Sequence, residues 1–288
     1  MNRPARFTAL AVALAGMVVY MSGCQQLEAR DQLNKGVEAY KSAHYEEAID
    51  HFQRATQLDP NLPMAKTYLA TALAQNVVPQ LNTADNLKTA DQAIGIFQEV
   101  LAKDPNDVNS MKQIAGIYFS LANHDNPATW EKDLDSAEEW QKKVLAVDPK
   151  DPEAAYTVGV IDWTKAHQNK LKALQDAGLN DDGKGNVKAP KKVMEPLSAL
   201  NGPLVTEGLQ YLNQAVDNRA NYDDAMQYLN LIYRNKADVD YGNASAVNAD
   251  LAAAQDWTNK AMSTRKANEA KKNAGPGGIT LDSNGNMK

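Results

Sequence analysis

Residues 36–60, GVEAYKSAHYEEAIDHFQRATQLDP, decide the fold because small, aromatic and proline residues recur in them at helical spacings. Gly36 and Ala48 stand twelve residues apart, where two successive helices would cross and only small side chains allow close approach. Phe52 follows Ala48 by four residues and therefore shares its helix face. Pro60 ends the second helix because it lacks the N–H that a further turn requires. The stretch predicts a helical hairpin.

The same pattern of small residues returns along the chain. Asp-Pro pairs close the second helix of the first three copies, at Pro60, Pro105 and Pro149. The paired small positions are Gly36 with Ala48, Ala70 with Ala93, Ala115 with Ala137, Gly159 with Gly208, and, as the weakest match, Asn230 with Ala254.

This arrangement resembles the tetratricopeptide repeat, a helix-turn-helix unit of about 34 residues. The resemblance extends over roughly residues 29–266, which is nearly the whole chain after its first segment. It implies an all-α protein, a right-handed α-solenoid of about five such repeats.

The later hairpins are longer than the first. Their paired small residues are separated by 10–12 residues more than in the first repeat, and by 37 more in the fourth. An excess of about eleven residues equals three helical turns, so we expect both helices of repeats two, three and five to be extended at the hairpin tip. Thr83, Asn126 and Asn243 are the expected N-caps of the second helices.

The fourth repeat is interpreted as carrying an insertion at about 166–202, which starts as a helix and breaks at Gly178. Its Asp/Asn/Gly run does not follow the EF-hand calcium pattern, since acids miss the first, third and fifth positions and no Glu closes the loop. A turn or small hairpin is expected. Because long ordered loops are often functional, this segment is the candidate for a role specific to this protein.

Residues 1–23 predict an export signal that is removed from the mature protein. Arg3 and Arg6 precede an apolar run, Phe7 to Tyr20, that is too short to span a bilayer. The ending Ser22-Gly23-Cys24 resembles a bacterial lipobox, which implies that Cys24 becomes the first residue and carries a lipid. Cys24 is the only cysteine, so an internal disulfide is excluded.

The predicted domain plan has four parts: the signal peptide 1–23, a lipid-anchored tether 24–28, the solenoid 29–272 and a disordered Gly/Asn-rich tail 273–288.

Gln25 follows the lipid acceptor. Aspartate at that place resembles an inner-membrane retention signal, so its absence favours the outer membrane, with the protein facing the periplasm.

The charge and the motifs limit the function. The formal net charge is −6, and loss of Arg3 and Arg6 makes it more negative, which argues against nucleic acid as a partner. The histidines form no HExxH pair, and no Walker, GxSxG or GxGxxG motif is present. We therefore expect no enzyme, no metal site and no cofactor.

In the tetratricopeptide family, the first helix of each repeat lines a concave groove that holds a protein partner. The basic carboxylate clamp of chaperone-binding members is missing here, apart from Lys112. Aromatic residues and arginine are the usual hot spots of interfaces. The expected anchors of the groove are Tyr40, Lys112, Phe119, Tyr156, Trp163 and Arg234. The other inward positions carried over from the family are Leu33, Val37, Thr67, Thr71, Ala74, Asn109, Gly116, Glu153, Val160, Gln227 and Leu231.

Packing inside the solenoid remains the alternative for Phe119 and Trp163. The leading interpretation is a membrane-anchored protein-interaction scaffold, which resembles repeat-containing lipoproteins of envelope assembly. The alternative is a small-ligand or glycan binder in which the insertion closes over the groove. A closed, aromatic-lined cavity would favour that alternative, and an open trough would favour the scaffold.

Overall fold

The computed structural model describes residues 24–62, 64–123 and 125–274, and within these residues all regular secondary structure is helical. The prediction of an all-α fold is therefore confirmed. The expected signal peptide and residues 275–288 of the expected tail lie outside the described residues. The helices are α1 (24–41), α2 (Tyr45–Leu58), α3 (Ala65–Asn76), α4 (Ala84–Leu101), α5 (Val108–Leu121), α6 (Pro127–Val147), α7 (Pro152–Asp176), α8 (Lys191–Asn218), α9 (Asp223–Val239) and α10 (Ala244–Ala274).

The chain divides into two compact units, Met1–Ala137 and Glu138–Lys288, and the division falls inside α6. We call them the N-terminal unit and the C-terminal unit. No helix in the described parts of the chain combines the length and the apolar character that crossing a bilayer requires.

In the N-terminal unit, successive helices pack side by side through the small residues. A Cβ atom added to Gly36 would lie 2.5 Å from the ring of Phe52, so glycine lets α1 approach α2. The alanines at the other small positions of this unit are at most 1% exposed: Ala48, Ala70, Ala93, Ala115 and Ala137. The predicted prolines each follow the end of a helix. Pro60 follows α2, Pro105 follows α4, and Pro149, which belongs to the C-terminal unit, follows α6.

In the C-terminal unit, α7 and α8 cross at two glycines. A Cβ atom added to Gly159 would lie 3.1 Å from the carbonyl oxygen of Gly208, so the two backbones are almost in contact. Ala254 of α10 is fully buried. Asn230 occupies the remaining small position at 4% exposure, and its Oδ1 accepts a hydrogen bond from Arg234 Nε at 3.1 Å. That bond explains how a polar residue is tolerated there.

The hairpin tips differ in part from the prediction. The second helices are extended, with 18 residues in α4 and 21 in α6 against 14 in α2. The first helices of the same repeats are not extended, since α3 has 12 residues and α5 has 14. The expected lengthening of both helices is therefore wrong for repeats two and three.

The surplus residues of repeat two form a turn at 77–83, which the side chain of Asn86 holds. Its Oδ1 accepts from Val78 N–H at 2.8 Å, and its Nδ2 donates to the carbonyl oxygens of Val78 and Leu81. These bonds replace the backbone bonds that a longer α3 would have made. The Thr83 side chain accepts from Asn86 N–H, which confirms the predicted cap, and Asn243 Oδ1 accepts from Ala246 N–H.

The structure describes helix in parts of the segments that were predicted as tether, insertion and tail. Residues 24–28 belong to α1, and residues 273–274 complete α10. The predicted insertion is mostly helix, because α7 continues to Asp176 and α8 begins at Lys191. Only residues 177–190, which we call the α7–α8 loop, connect them.

Helix α8 continues through Pro196 and Pro203 because tertiary contacts compensate for the missing N–H groups. Leu197 and Val205 are buried. Between them, Asn201 Nδ2 donates to the carbonyl oxygen of Ala166 on α7 at 2.8 Å. The prolines therefore do not break this helix, although the sequence alone suggested a loop.

Candidate functional site

One cavity of the N-terminal unit is a half-open pocket of about 320 Å³ with mostly apolar walls, which we call the α1–α3 pocket. It lies where the first helices of the first two repeats face each other. Its lining consists of Val37, Tyr40, Lys41, Phe52, Met64, Thr67, Tyr68, Thr71 and Asn109.

Aromatic rings and a threonine whose hydroxyl is bonded within α3 make the pocket mostly apolar. Thr71 Oγ1 donates to the carbonyl oxygen of Thr67 at 2.8 Å, one turn back along α3. The rings of Phe52 and Tyr68 are in tilted contact, with 5.7 Å between centroids, and Tyr40 contacts Tyr45 at 5.5 Å. Burial, and then the neighbouring Tyr45, raise the pKa of the Tyr40 phenol, so it stays a neutral hydrogen-bond donor at physiological pH.

Sequence reasoning located part of this pocket. The expected anchor Tyr40 lines it, whereas Phe119 is 39% exposed on α5 and, like the half-buried Lys112, is not part of its lining. Tyr68 and Met64 were missed. The available signal was spacing: Met64 lies four residues before Tyr68, and Tyr68 lies three residues before the groove position Thr71, so these residues are neighbours on the surface of α3.

In the C-terminal unit, the expected anchors Tyr156 and Trp163 pack against α9. The ring centroid of Tyr228 lies 5.6 Å from that of Tyr156 and 5.2 Å from that of Trp163. His167 stacks on Trp163 at 5.0 Å. Both anchors lie at the edge of the core of this unit and are partly buried, so for Trp163 the structure favours packing within the solenoid.

The expected anchor Arg234 contacts the α7–α8 loop. Its Nη1 donates to the carbonyl oxygen of Gly183 at 3.1 Å, while its Nε is bonded to Asn230. The guanidinium is therefore engaged by two groups of its own chain.

The α7–α8 loop closes around a lysine. Lys170, whose side chain is 4% exposed, lies 2.7 Å from Asp181 and 3.3 Å from Asp238. Asn186 Nδ2 donates to Asp181 and Asp238, at 3.0 and 2.7 Å. Gly185, at φ 82°, packs beside α9 and α10, where a Cβ atom would meet Val247. The acidic loop thus surrounds an ammonium group, and it packs on its own unit.

The carboxylates of this loop have opposite pKa shifts. Burial alone would raise the pKa of Asp181, but hydrogen bonds from Lys170, Gly183 N–H and Asn186 outweigh it and lower the pKa to about 2. Burial raises the pKa of Asp238, with Lys170 opposing it. The loop is therefore tied down by a charged network, which does not favour a lid that closes over a groove.

A second charged cluster joins three helices of the C-terminal unit: Glu138 on α6, Asp162 on α7 and Glu207 on α8. One oxygen of each carboxylate lies within 4.8 Å of the others. Asp162 is fully buried. Burial, followed by the charges of Glu138 and Glu207, raises its pKa to about 8. Sequence reasoning missed this cluster because no spacing along the chain relates residues on three separate helices.

Comparison with known proteins supports the repeat assignment. Residues 29–62, which cover most of α1 and all of α2, match the family model described as tetratricopeptide repeat. No curated protein matches the chain significantly.

Solved structures share the fold at low sequence identity. MamA from Desulfovibrio magneticus RS-1 (residue 41 to the end) is 16% identical, with a TM-score of 0.51 over 83% of this chain and 96% of that chain. A MamA RS-1 ArsTM double mutant is 16% identical, with a TM-score of 0.52 over 84% and 97%. TTC0263, a thermophilic TPR protein of Thermus thermophilus, is 16% identical and covers 84% and 97%, with a TM-score of 0.42.

At 16% identity the two MamA structures establish the fold alone. The helix crossings at small residues, the matched repeat and the shared fold agree with one another. The chain is therefore an all-helical protein in the residues that the structure describes, and it contains a tetratricopeptide repeat at residues 29–62.

Proposed function

We propose that this chain is a protein-interaction scaffold, and that the α1–α3 pocket receives an apolar side chain from a segment of the partner protein. The observation that carries the proposal is a half-open, mostly apolar cavity of about 320 Å³ on the first helices of two repeats. Burying one large apolar side chain there would contribute roughly 1.5–3 kcal/mol to binding. A well-shaped pocket for one anchor is the usual centre of an interface.

The shape of the pocket supports a protein segment as its ligand. It is open on one side, so a bound chain can continue past it in both directions. Its walls are mostly apolar, and the hydroxyl of Thr71 is already bonded within α3. A glycan or a polar small molecule would leave its hydroxyl groups without partners in such a site.

The test begins with crosslinking in cells and ends with a binding assay. A photo-crosslinking amino acid placed at Thr71, inside the pocket, is expected to capture a partner, which is then purified. Tyr40→Ala should weaken binding of that partner roughly tenfold or more, because it removes a wall of the pocket. Phe119→Ala is the matched control, since this exposed aromatic lies on α5 outside the lining. Equal losses for both variants would contradict the pocket as the binding site.

We further propose that a lipid on Cys24 holds the protein on the periplasmic face of a membrane, the outer one in preference to the inner. Cys24 is exposed and lies at the start of α1 as described. Two or three acyl chains anchor a protein stably, whereas one is marginal. Tyr40 follows by sixteen residues in the same helix, about 24 Å along its axis, so the pocket would be held near the bilayer surface.

Exchanging residues 1–23 for a cleavable secretory signal, together with Cys24→Ser, should move the protein from the membrane fraction to the soluble periplasmic fraction. The matched variant Gln25→Asp keeps the lipid and should shift the protein towards inner-membrane fractions in a density gradient. Retention of the Cys24→Ser protein in the membrane fraction after cleavage would contradict lipid anchoring.

A further inference from the structure

The cluster of Glu138, Asp162 and Glu207 contains an anomaly that the scaffold role does not explain. Asp162 is 0% exposed, and within the described residues neither of its carboxylate oxygens has a hydrogen-bond partner. Leaving a buried carboxylate without partners costs several kcal/mol or more, so such groups are normally paired or bound to a cation.

The unpartnered carboxylate points towards two others. Oxygen atoms of Asp162, Glu138 and Glu207 lie within 4.8 Å of one another, although each residue belongs to a different helix. The helix crossing fixes this arrangement, because a Cβ atom added to Gly208 would lie 3.0 Å from the Cβ of Asp162. The three side chains are therefore held together by the packing of α6, α7 and α8.

The separations suit one divalent cation. Calcium–oxygen distances of about 2.3–2.6 Å place oxygens on opposite sides of the ion at most about 5.2 Å apart, so three oxygens within 4.8 Å of one another can be ligands of one ion. The burial of Asp162 favours Ca²⁺, because Mg²⁺ gives up its bound waters reluctantly and usually keeps several of them.

The ammonium groups of two lysines already pair with carboxylates of this cluster, and the two side chains differ in solvent exposure. Lys165 lies 2.7 Å from Glu138 with 10% of its side chain exposed. Lys142 bridges Glu138 and Glu207, and its side chain is 35% exposed, so it can leave towards solvent. Once Lys142 is displaced and Asp162 is ionised, the three carboxylates and the Lys165 ammonium together carry a charge of −2, which a divalent cation neutralises.

We propose that Glu138, Asp162 and Glu207 form a binding site for a divalent cation of calcium size, which displaces the ammonium group of Lys142. The ion links α6, α7 and α8 and so stabilises the C-terminal unit. Bound calcium raises the temperature of unfolding, because it binds the folded chain and not the unfolded one.

The experiment uses the full chain, purified in a non-ionic detergent and freed of metal with a chelator. Calorimetric titration with CaCl₂ should show one site, and the midpoint of thermal unfolding should rise with calcium. Glu207→Gln, at a partly exposed position, should weaken calcium binding roughly tenfold or more, and Asp162→Asn should abolish the rise in midpoint.

The sharpest test compares the calcium affinity of a variant that lacks the Lys142 ammonium with that of a variant that lacks a neighbouring one. Lys142→Met should strengthen calcium binding roughly tenfold or more, since the ion no longer has to displace a lysine. Lys143→Met removes the same charge from the next residue, whose ammonium pairs with Glu139 outside the cluster, and should leave the affinity nearly unchanged. Three results would overturn the proposal. The first is an equal effect of the two lysine variants on calcium affinity, and the second is tighter binding of Mg²⁺ than of Ca²⁺. The third is that Lys142→Met binds no calcium at millimolar concentration.

Discussion

Replacing Lys170 with methionine is expected to lower the free energy of unfolding by about 3–5 kcal/mol, because it leaves two carboxylates without their shared counterion. The Lys170 side chain is 4% exposed and lies 2.7 Å from Asp181 and 3.3 Å from Asp238. Methionine fills a similar volume, so the effect measures charge and not a cavity. Chemical denaturation followed by circular dichroism gives the difference from the unsubstituted protein.

The matched control lies two residues further along the same helix. Lys172 pairs only with Asp176, and its side chain is 77% exposed. An exposed pair of this kind contributes at most about 1 kcal/mol, so Lys172→Met should change stability by about 0.5 kcal/mol. Equal losses for Lys170→Met and Lys172→Met would contradict the buried network as the source of stability.

The loss caused by Lys170→Met should also depend on pH. The pKa of Asp181 is lowered to about 2 in the folded protein, below its ordinary value near 4. Its stabilising contribution is therefore complete above about pH 5 and disappears as the pH falls towards 2. The difference in unfolding free energy between the unsubstituted protein and Lys170→Met should accordingly narrow between about pH 5 and pH 2.

Gly159→Ala is expected to destabilise the protein by about 2 kcal/mol, although alanine favours helices over glycine. The added methyl group would lie 2.5 Å from Cγ of Leu212 and 3.1 Å from the carbonyl oxygen of Gly208. The side chain can move, but the backbone of α8 must shift as well. The midpoint of thermal unfolding should fall by several degrees.

The same substitution at Gly95 should change the stability of the protein in the opposite direction. Gly95 lies inside α4, and a Cβ atom there would meet no atom within 4 Å. Gly95→Ala is therefore expected to stabilise the protein by about 0.5–1 kcal/mol through helix propensity alone. A gain in stability at both positions would show that α7 and α8 do not depend on a small residue at their crossing.

The spacing of small residues was a reliable guide to the helix crossings. Gly36, Ala48, Gly159 and Gly208 are buried where helices touch, because close approach of two backbones demands a small side chain at a regular interval. The lengths of the helices could not be predicted as well. Whether surplus residues continue a helix or form a turn depends on distant groups, such as the side chain of Asn86 at the tip of repeat two.

Part of the α1–α3 pocket could be predicted because its residues follow the periodic register of the repeats. Tyr40, Thr67 and Thr71 lie at family positions that face the groove, so a repeat register found in the sequence brings them together. Tyr156 and Trp163 follow the same register but pack against α9, since Tyr228 meets them there. Register determines the face on which a side chain lies, and the neighbouring helix determines whether that side chain stays accessible.

By itself, the sequence determined the helical hairpins, their small contact residues and the ends marked by Asp-Pro, because these are local or periodic features of the chain. Only the tertiary structure decided that Lys170 binds Asp181 and Asp238, and that three acids from three helices meet at Asp162. Such groups lie far apart in the chain. Their approach depends on helix lengths and crossing angles, which result from the packing of all the helices together and not from any one segment.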